Sequence, residues 1–428
     1  MKRLLGWSVV LAALGYACGG GGGSITDGGG VPGRDGGRAP GPPSDACGSV
    51  RLTSYEVFAG GWCEFGTSYD FLPRFVRDGM TAAIAEPWND GVGGAPGESC
   101  GECWEIDTVN GTEVVMITDL CPVEGNPLCA GGHFHIDLAT PAARALGGGA
   151  LDEGHARRVP CPVDGDIHVL VNDENVRYLR VAFMNHRVPL RSVEFRGAGP
   201  GVTGTNEWTP VVRSGGGWEV IGGETTTDRG GTGVQFRLTS AQGETVESEV
   251  IVPSHPPRGT TVSLGVQFED RDPPTGGSCD FVPPGDVYVD AWGGIDEVRW
   301  AINPWGEAER GFFGETSDGC FAGSCLEVER LGPATGFHLY YRQAFPRDVF
   351  SRVTFRVRTR SGSSEIDVAA SSDGMRCEPA FVAVSPEWTE VSLDLAATCA
   401  SLSTLNGLTI GHGGAQVSLL LDDVRFVR

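Results

Sequence analysis

The stretch "GGHFHIDLATPAARAL", Gly131 to Leu146, decides how the first third of this chain is read. Its middle alternates polar and apolar residues. A strand turns successive side chains to opposite faces, so His133, His135 and Asp137 share one face. Phe134, Ile136 and Leu138 take the other, which must be core. Thr140 and Pro141 then open a brief helix, Thr140 as its cap. Three readings compete for the polar face: a His-x-His-x-Asp metal site, a carboxylic acid in a cleft, or ordinary strand polarity. A metal needs a further clear ligand, and no second histidine cluster lies nearby in sequence. The reading carried forward is a cleft acid at Asp137.

Outward from this stretch the elements are short. "VRLTSYEVFA" alternates as a strand, and "DFLPRFVRDGMTAAIAEP" reads as a short helix running into another. "SCGECWEIDTV" and "GTEVVMITDLCP" are strands broken by glycine turns. Many short strands with little helix indicate a small barrel over residues 46–158. From residue 159 to 269 the pattern becomes regular: "DIHVLV", "RYLRVAFMN", "LRSVEFR", "VQFRLTS". Evenly spaced half-buried strands predict an immunoglobulin-like β-sandwich. Residues 270–280 form a linker rich in proline, glycine and charge. A third module, 281–428, alternates through "SRVTFRVRTR", "SSEIDVAAS", "TEVSLDL" and "AQVSLLLDDVRFV" and reads as a second, jelly-roll-like sandwich. The expected fold class is all-β.

The chain has 428 residues, with 55 acidic against 32 basic side chains and a formal charge of −23. Such a surface opposes nucleic acid and anionic membrane as partners and suits a neutral ligand. Lys2 and Arg3 precede an apolar run, Leu4 to Ala17, too short to span a membrane; residues 1–17 read as an export signal. Cys18 follows a small residue and precedes a glycine-rich tether to residue 45, a pattern similar to the acylated cysteine of bacterial lipoproteins. The expected location is extracellular or the bacterial cell surface, as an outer-membrane lipoprotein if Cys18 is acylated. Without Cys18, twelve of the 13 cysteines remain. Seven fall between Cys47 and Cys161 and five between Cys279 and Cys399. Two odd groups require one bridge between them or a free thiol in each. Cys320 with Cys325 and Cys377 with Cys399 are candidate short loops.

A second carboxylate, Asp119 in "MITDLCP", stands on another strand. Two carboxylates in one cleft push a pKa upward, so Asp119 orienting the acid Asp137 is one reading and a turn-capping aspartate the other. "TDLCP" followed by "HIDL" resembles the signature of expansins and bacterial expansin-like proteins. The resemblance covers about half the chain and implies a six-stranded double-psi β-barrel, related to family 45 endoglucanases, ahead of a carbohydrate-binding sandwich. It also implies a long open groove and non-hydrolytic loosening of cellulose and hemicellulose. Asp137 then matches the family's essential aspartate and Asp119 the one supporting it. Thr53, or its neighbour Ser54, matches a groove threonine, with Tyr55 beside it. Cys121 stands where some bacterial members carry an aromatic, as in plant members, and implies a disulfide.

An inverting hydrolase needs an acid and a base on opposite sides of the bond. The related endoglucanases' base falls at Val57 here, with Glu56 one position out of phase. Glu86 and Asp90, beside Trp88, are weaker base candidates. The site thus reads as an incomplete hydrolase. In the sandwich, Tyr178 matches one family aromatic, Arg177 occupies the place of another, and a third falls near Gly216 with Trp218 two residues on; Trp208 matches a framework tryptophan. Trp88, Tyr178 and Trp218, with Trp292 and Trp305 of the third module, are the candidate sugar contacts. Asp422 and Asp423 are candidate oxygen ligands for a structural calcium; the barrel needs no cofactor. The expected partner is cellulose, hemicellulose or another β-glucan, bound by a monomer. The alternatives are a weak endoglucanase or peptidoglycan lytic enzyme on the same barrel, and an adhesion protein without catalysis.

Overall fold

The computed structural model describes residues 47–56, 61–66, 72–89, 97–124, 126–130, 133–148, 151–175, 178–202, 206–221, 232–253, 256–269, 279–289, 294–295, 298–306, 313–372 and 374–428. The export signal, Cys18, the tether, Val57, Asp90, Arg177 and Trp292 lie outside them.

Six strands close into a barrel: β1 Gly48–Tyr55, β2 Thr81–Ala85, β3 Cys103–Thr108, β4 Gly111–Cys121, β5 His135–Ala139 and β6 Leu151–Val159. Their order around the barrel is β1-β5-β2-β4-β3-β6. The pairs β1/β5 and β2/β4 are parallel, whereas β5 and β2 run antiparallel between them. Parallel partners need a crossover rather than a hairpin, so the two halves of the barrel interlock, as a double-psi arrangement requires. Val50, Leu52, Ile84, Trp104, Ile106, Ile117 and Ile136 fill the interior.

The expected split of β5 into a polar and an apolar face is only half right, because every residue from His135 to Ala139 is buried. Barrel closure packs the interior face, and the loops carrying Leu128 and Cys129 cover part of the other. The following helix, Thr140–Ala145, has Pro141 in its first turn, but Thr140 is not its cap. Its hydroxyl donates to the Tyr55 carbonyl at 3.0 Å and ties the helix to the end of β1.

Two five-stranded sheets between His168 and Ser263 form the second sandwich, around Val169, Val181, Phe183, Phe195 and Phe236. Two six-stranded sheets and a short hairpin, between Asp286 and Val427, form the third module. Trp300, Tyr341, Phe345 and Phe426 occupy its core.

Six disulfides are present among the described residues, and Cys47–Cys279 joins the two odd groups, leaving no thiol over from either. Cys320–Cys325 and Cys377–Cys399 close the two loops foreseen for them, and Cys121 pairs with Cys129. The barrel meets the third module through buried polar contacts too. Tyr341 donates its phenol proton to Glu153, and the Gln343 amide donates to the Leu146 carbonyl. Against the second sandwich, Arg180 donates to Glu64 of the barrel and Glu219 of its own sheet. At that joint Gly216 has no space for a side chain, since a Cβ would strike the Trp62 carbonyl and the Cys63 Cα.

Candidate functional site

Strand register assembles the site. Thr53 on β1 stands opposite Asp137 on β5, Asp137 opposite Ala83 on β2, and Ala83 opposite Asp119 on β4. One row across four strands thus carries a hydroxyl and two carboxylates, with alanine as the spacer. The register of β2 with β4 jumps between Ala82 and Ala83, leaving Thr118 without an opposite residue. Such a bulge re-aims the next side chain, and here that side chain is Asp119.

Thr53 Oγ1 donates to Asp137 Oδ1 at 2.6 Å and lies 2.8 Å from His135 Nε2. A hydroxyl has one proton, so with Asp137 ionised it accepts from His135 Nε2–H. The polar face of β5 is therefore a short relay, His135 to Thr53 to Asp137. His135 is fully buried, and desolvation, with the Arg51 guanidinium nearby, lowers its pKa to about 4. The ring is neutral, in the state this relay needs. Asp137 is pushed the other way: burial raises its pKa, the Thr53 bond opposes that, and the Asp119 charge adds to it. Its Oδ2 stands 3.7 Å from the Cys121 sulfur, which, oxidised in a disulfide, has no proton to give. Oδ2 therefore receives no hydrogen bond from that sulfur.

Asp119 has a different task. Its Oδ1 accepts the backbone N–H of Trp62 at 2.6 Å and of Leu120 at 2.8 Å. It fixes the loop that carries Trp62, a half-buried indole whose ring lies 3.5 Å from where a Gly215 Cβ would stand. The sequence reading passes over Trp62; a tryptophan in a glycine-flanked "GGWC" turn was the signal available. Tyr55, two residues along β1 from Thr53, is half-buried and packs at the edge of the barrel core.

Of the base candidates, two lie among the described residues. Glu56 is exposed just beyond the end of β1, and Glu86 accepts the Val123 N–H at 2.9 Å. Two of the sugar-contact candidates are corrected. Trp88 is 5% exposed and packs edge-on against Phe134, and Trp218 is 4% exposed under the Arg213 guanidinium. Neither ring offers a face to a ligand; the strand Gly217–Ile221 turns Trp218 into the sandwich core. Tyr178 stays half-exposed, its hydroxyl 3.2 Å from Glu219 Oε1 in the Arg180 network. Trp208 lies beneath Arg196 and Arg237.

In the third module Trp305 lines a cavity of about 650 Å³. Asp422 Oδ2 accepts the N–H groups of Phe321 and Ala322, while Asp423 faces Arg356 and Arg425. Both carboxylates are thus engaged by the protein's own donors. Among the described residues no cluster of three or more His, Cys, Asp or Glu is arranged to hold a metal.

Fold and site together define an all-β chain with a buried acid in a closed barrel, followed by sandwich modules. No family model matches the chain. It is similar to expansin-like protein 1 of Dictyostelium discoideum, 31% identical over 125 residues, covering 28% of this chain and 41% of that one. Expansin-A10 of Oryza sativa subsp. japonica is 28% identical over 228 residues, 49% of this chain and 80% of that one. The chain spans less than half the length of the Dictyostelium protein. Among solved structures, a Clavibacter michiganensis expansin aligns over 53% of this chain and all of its own, at 19% identity and a TM-score of 0.41. The two sequence similarities cover 28% and 49% of this chain.

Proposed function

We propose that the chain binds plant-type cell-wall polysaccharide, cellulose or hemicellulose, and loosens it without hydrolysis. The observation that carries this reading is the state of the two carboxylates in the row. Asp137 is buried, held on one oxygen by Thr53, and burial raises its pKa. Asp119 accepts two backbone N–H groups on Oδ1 and so holds the Trp62 loop. Acting alone, such an acid donates a hydrogen bond or a proton to a glucan oxygen, whereas hydrolysis by inversion also needs a base on the far face of the ring. Exchange of one glucan–glucan hydrogen bond for a protein–glucan bond is the loosening step. The six disulfides agree with work outside the cytoplasm, in the medium or at the cell surface.

A second reading, a weak endoglucanase or peptidoglycan lytic enzyme, draws on the raised pKa of Asp137, which suits a general acid. The test is product formation. The full chain is incubated with amorphous cellulose, xylan and peptidoglycan, and new reducing ends and fragments are counted with Asp137→Asn in parallel. The proposal expects no fragments and retained glucan binding from both proteins. Fragments from the wild type alone would replace it with the hydrolytic reading.

A further inference from the structure

The third module holds a cavity that the barrel site does not use. It lies on the sheet built from Ala301–Trp305, Thr335–Pro346, Thr404–His412 and Ser364–Ser372, with the short strands Met375–Arg376 and Ala380–Val384 at its edge. Register sets its walls. Trp305 stands opposite Gly336, Gly336 opposite Gly411, Gly411 opposite Asp367, and Asp367 opposite Phe381. One row across five strands therefore reads aromatic, glycine, glycine, carboxylate, aromatic.

The glycines are there for space. A Cβ on Gly336 would run into the Trp305 indole, and a Cβ on Gly411 into the Asp367 carboxylate. The indole sits over Gly336, and the carboxylate sits over Gly411. Arg376 donates to Asp367 at 2.6 Å. Opposite Asp367, the Phe381 ring is 68% exposed, an apolar surface that the fold itself does not bury. At the rim Ala334 holds a φ of 58°, a left-handed conformation that costs a non-glycine residue energy and recurs at ligand sites.

We propose that this row is a second polysaccharide site, selective for an uncharged hexopyranose chain. The proposal rests on the reading that the protein meets polysaccharide and goes beyond it in naming a site and its selectivity. The two rings at the ends of the row stack on sugar faces, which are apolar. The Asp367–Arg376 pair sets an acceptor beside donors, the arrangement that vicinal hydroxyls match. Glu365 and Asp367 against one arginine leave the cavity with an acidic excess, which repels a uronic-acid chain. Gly336 and Gly411 keep the floor low enough for a chain to lie across the strands.

The test is calorimetric titration of the full chain with cellohexaose and, separately, with hexagalacturonic acid. Trp305→Ala, Phe381→Ala and Asp367→Ala are titrated alongside. Phe381 is exposed, so its replacement does not endanger the fold. The expected result is cellohexaose binding that weakens at least tenfold in Trp305→Ala, Phe381→Ala and Asp367→Ala, and is absent for hexagalacturonic acid. Wild-type affinity in Trp305→Ala and Phe381→Ala, no cellohexaose binding by the wild type, or equal binding of the acidic hexamer would each overturn the proposal. Loss of binding in these variants together with an inert Asp137 site would leave this cavity standing and remove the loosening reading, so the two failures are distinguishable.

Discussion

At the residue scale the chemistry comes down to one buried carboxyl group. Burial raises the pKa of Asp137, so its neutral form persists to higher pH than that of an ordinary aspartate. If the neutral form is the donor to glucan, activity is full at low pH and falls as pH rises through that raised value. Thr53→Val removes the hydrogen bond that favours the charged form. The falling limb of the pH profile should then move to more alkaline pH, with some loss of activity because the carboxyl is no longer oriented. A limb that stayed in place would remove Thr53 from the account. The buried imidazoles of His135 and His186 are both held down to about 4 by desolvation. A depressed histidine stabilises the fold above its unfolded value of about 6.5, and that stabilisation is lost as pH falls through the folded value. Each contributes about 3 kcal/mol at most. Proton resonances of both rings should show the neutral form at pH 5.5; titration of either above that pH would contradict the burial assigned here.

The strands show what sequence makes legible and what it conceals. β5 was readable because "HFHIDLA" alternates, and its register with β1 places Asp137 opposite Thr53, the first of two residues weighed as the groove threonine. β6 escaped the reading because "LDEGHARRV" is rich in charge. Those charges are partnered across the barrel: Arg157 pairs with Glu105 at 2.7 Å, and Arg158 with the fully buried Glu102 at 3.2 Å. Such partnerships are long-range and leave no periodic trace. Trp88 and Trp218 were misassigned for a related reason: a tryptophan in a short strand or loop has the same sequence signature whether it faces solvent or core. Gly216 carries an element-scale prediction. Gly216→Ala forces a methyl group onto the backbone at Trp62 and Cys63, which a side-chain rotation cannot relieve. It should cost about 1–3 kcal/mol in urea unfolding. Unchanged stability would mean that this hairpin does not rest on the Trp62 loop.

Across the whole molecule, the barrel is fastened to both sandwiches. One fastening is covalent, Cys47–Cys279, joining residues 232 positions apart. Another is the buried Tyr341–Glu153 contact, and a third is Arg180 between Glu64 and Glu219. None of the three could be assigned from sequence, where the odd cysteine groups left bridge and free thiols equally open. A bridge over so long a loop stabilises by about 5 kcal/mol at most, less because other disulfides already restrict the unfolded chain. Replacing Cys47 and Cys279 together by serine should lower the unfolding midpoint by several degrees; an unaltered midpoint would show that the non-covalent contacts suffice. The barrel site and the third-module cavity thereby belong to one fastened body.

The central claim is that Asp137 loosens polysaccharide without cutting it. The most direct measurement is the tensile strength of a cellulose sheet incubated with the full chain or with Asp137→Asn, with reducing ends counted in the same samples. The account predicts weakening by the wild type, at least about tenfold less by the variant as expected for loss of an acid group, and no new reducing ends from either. Equal weakening by both proteins, or reducing ends that rise with the weakening, would contradict it.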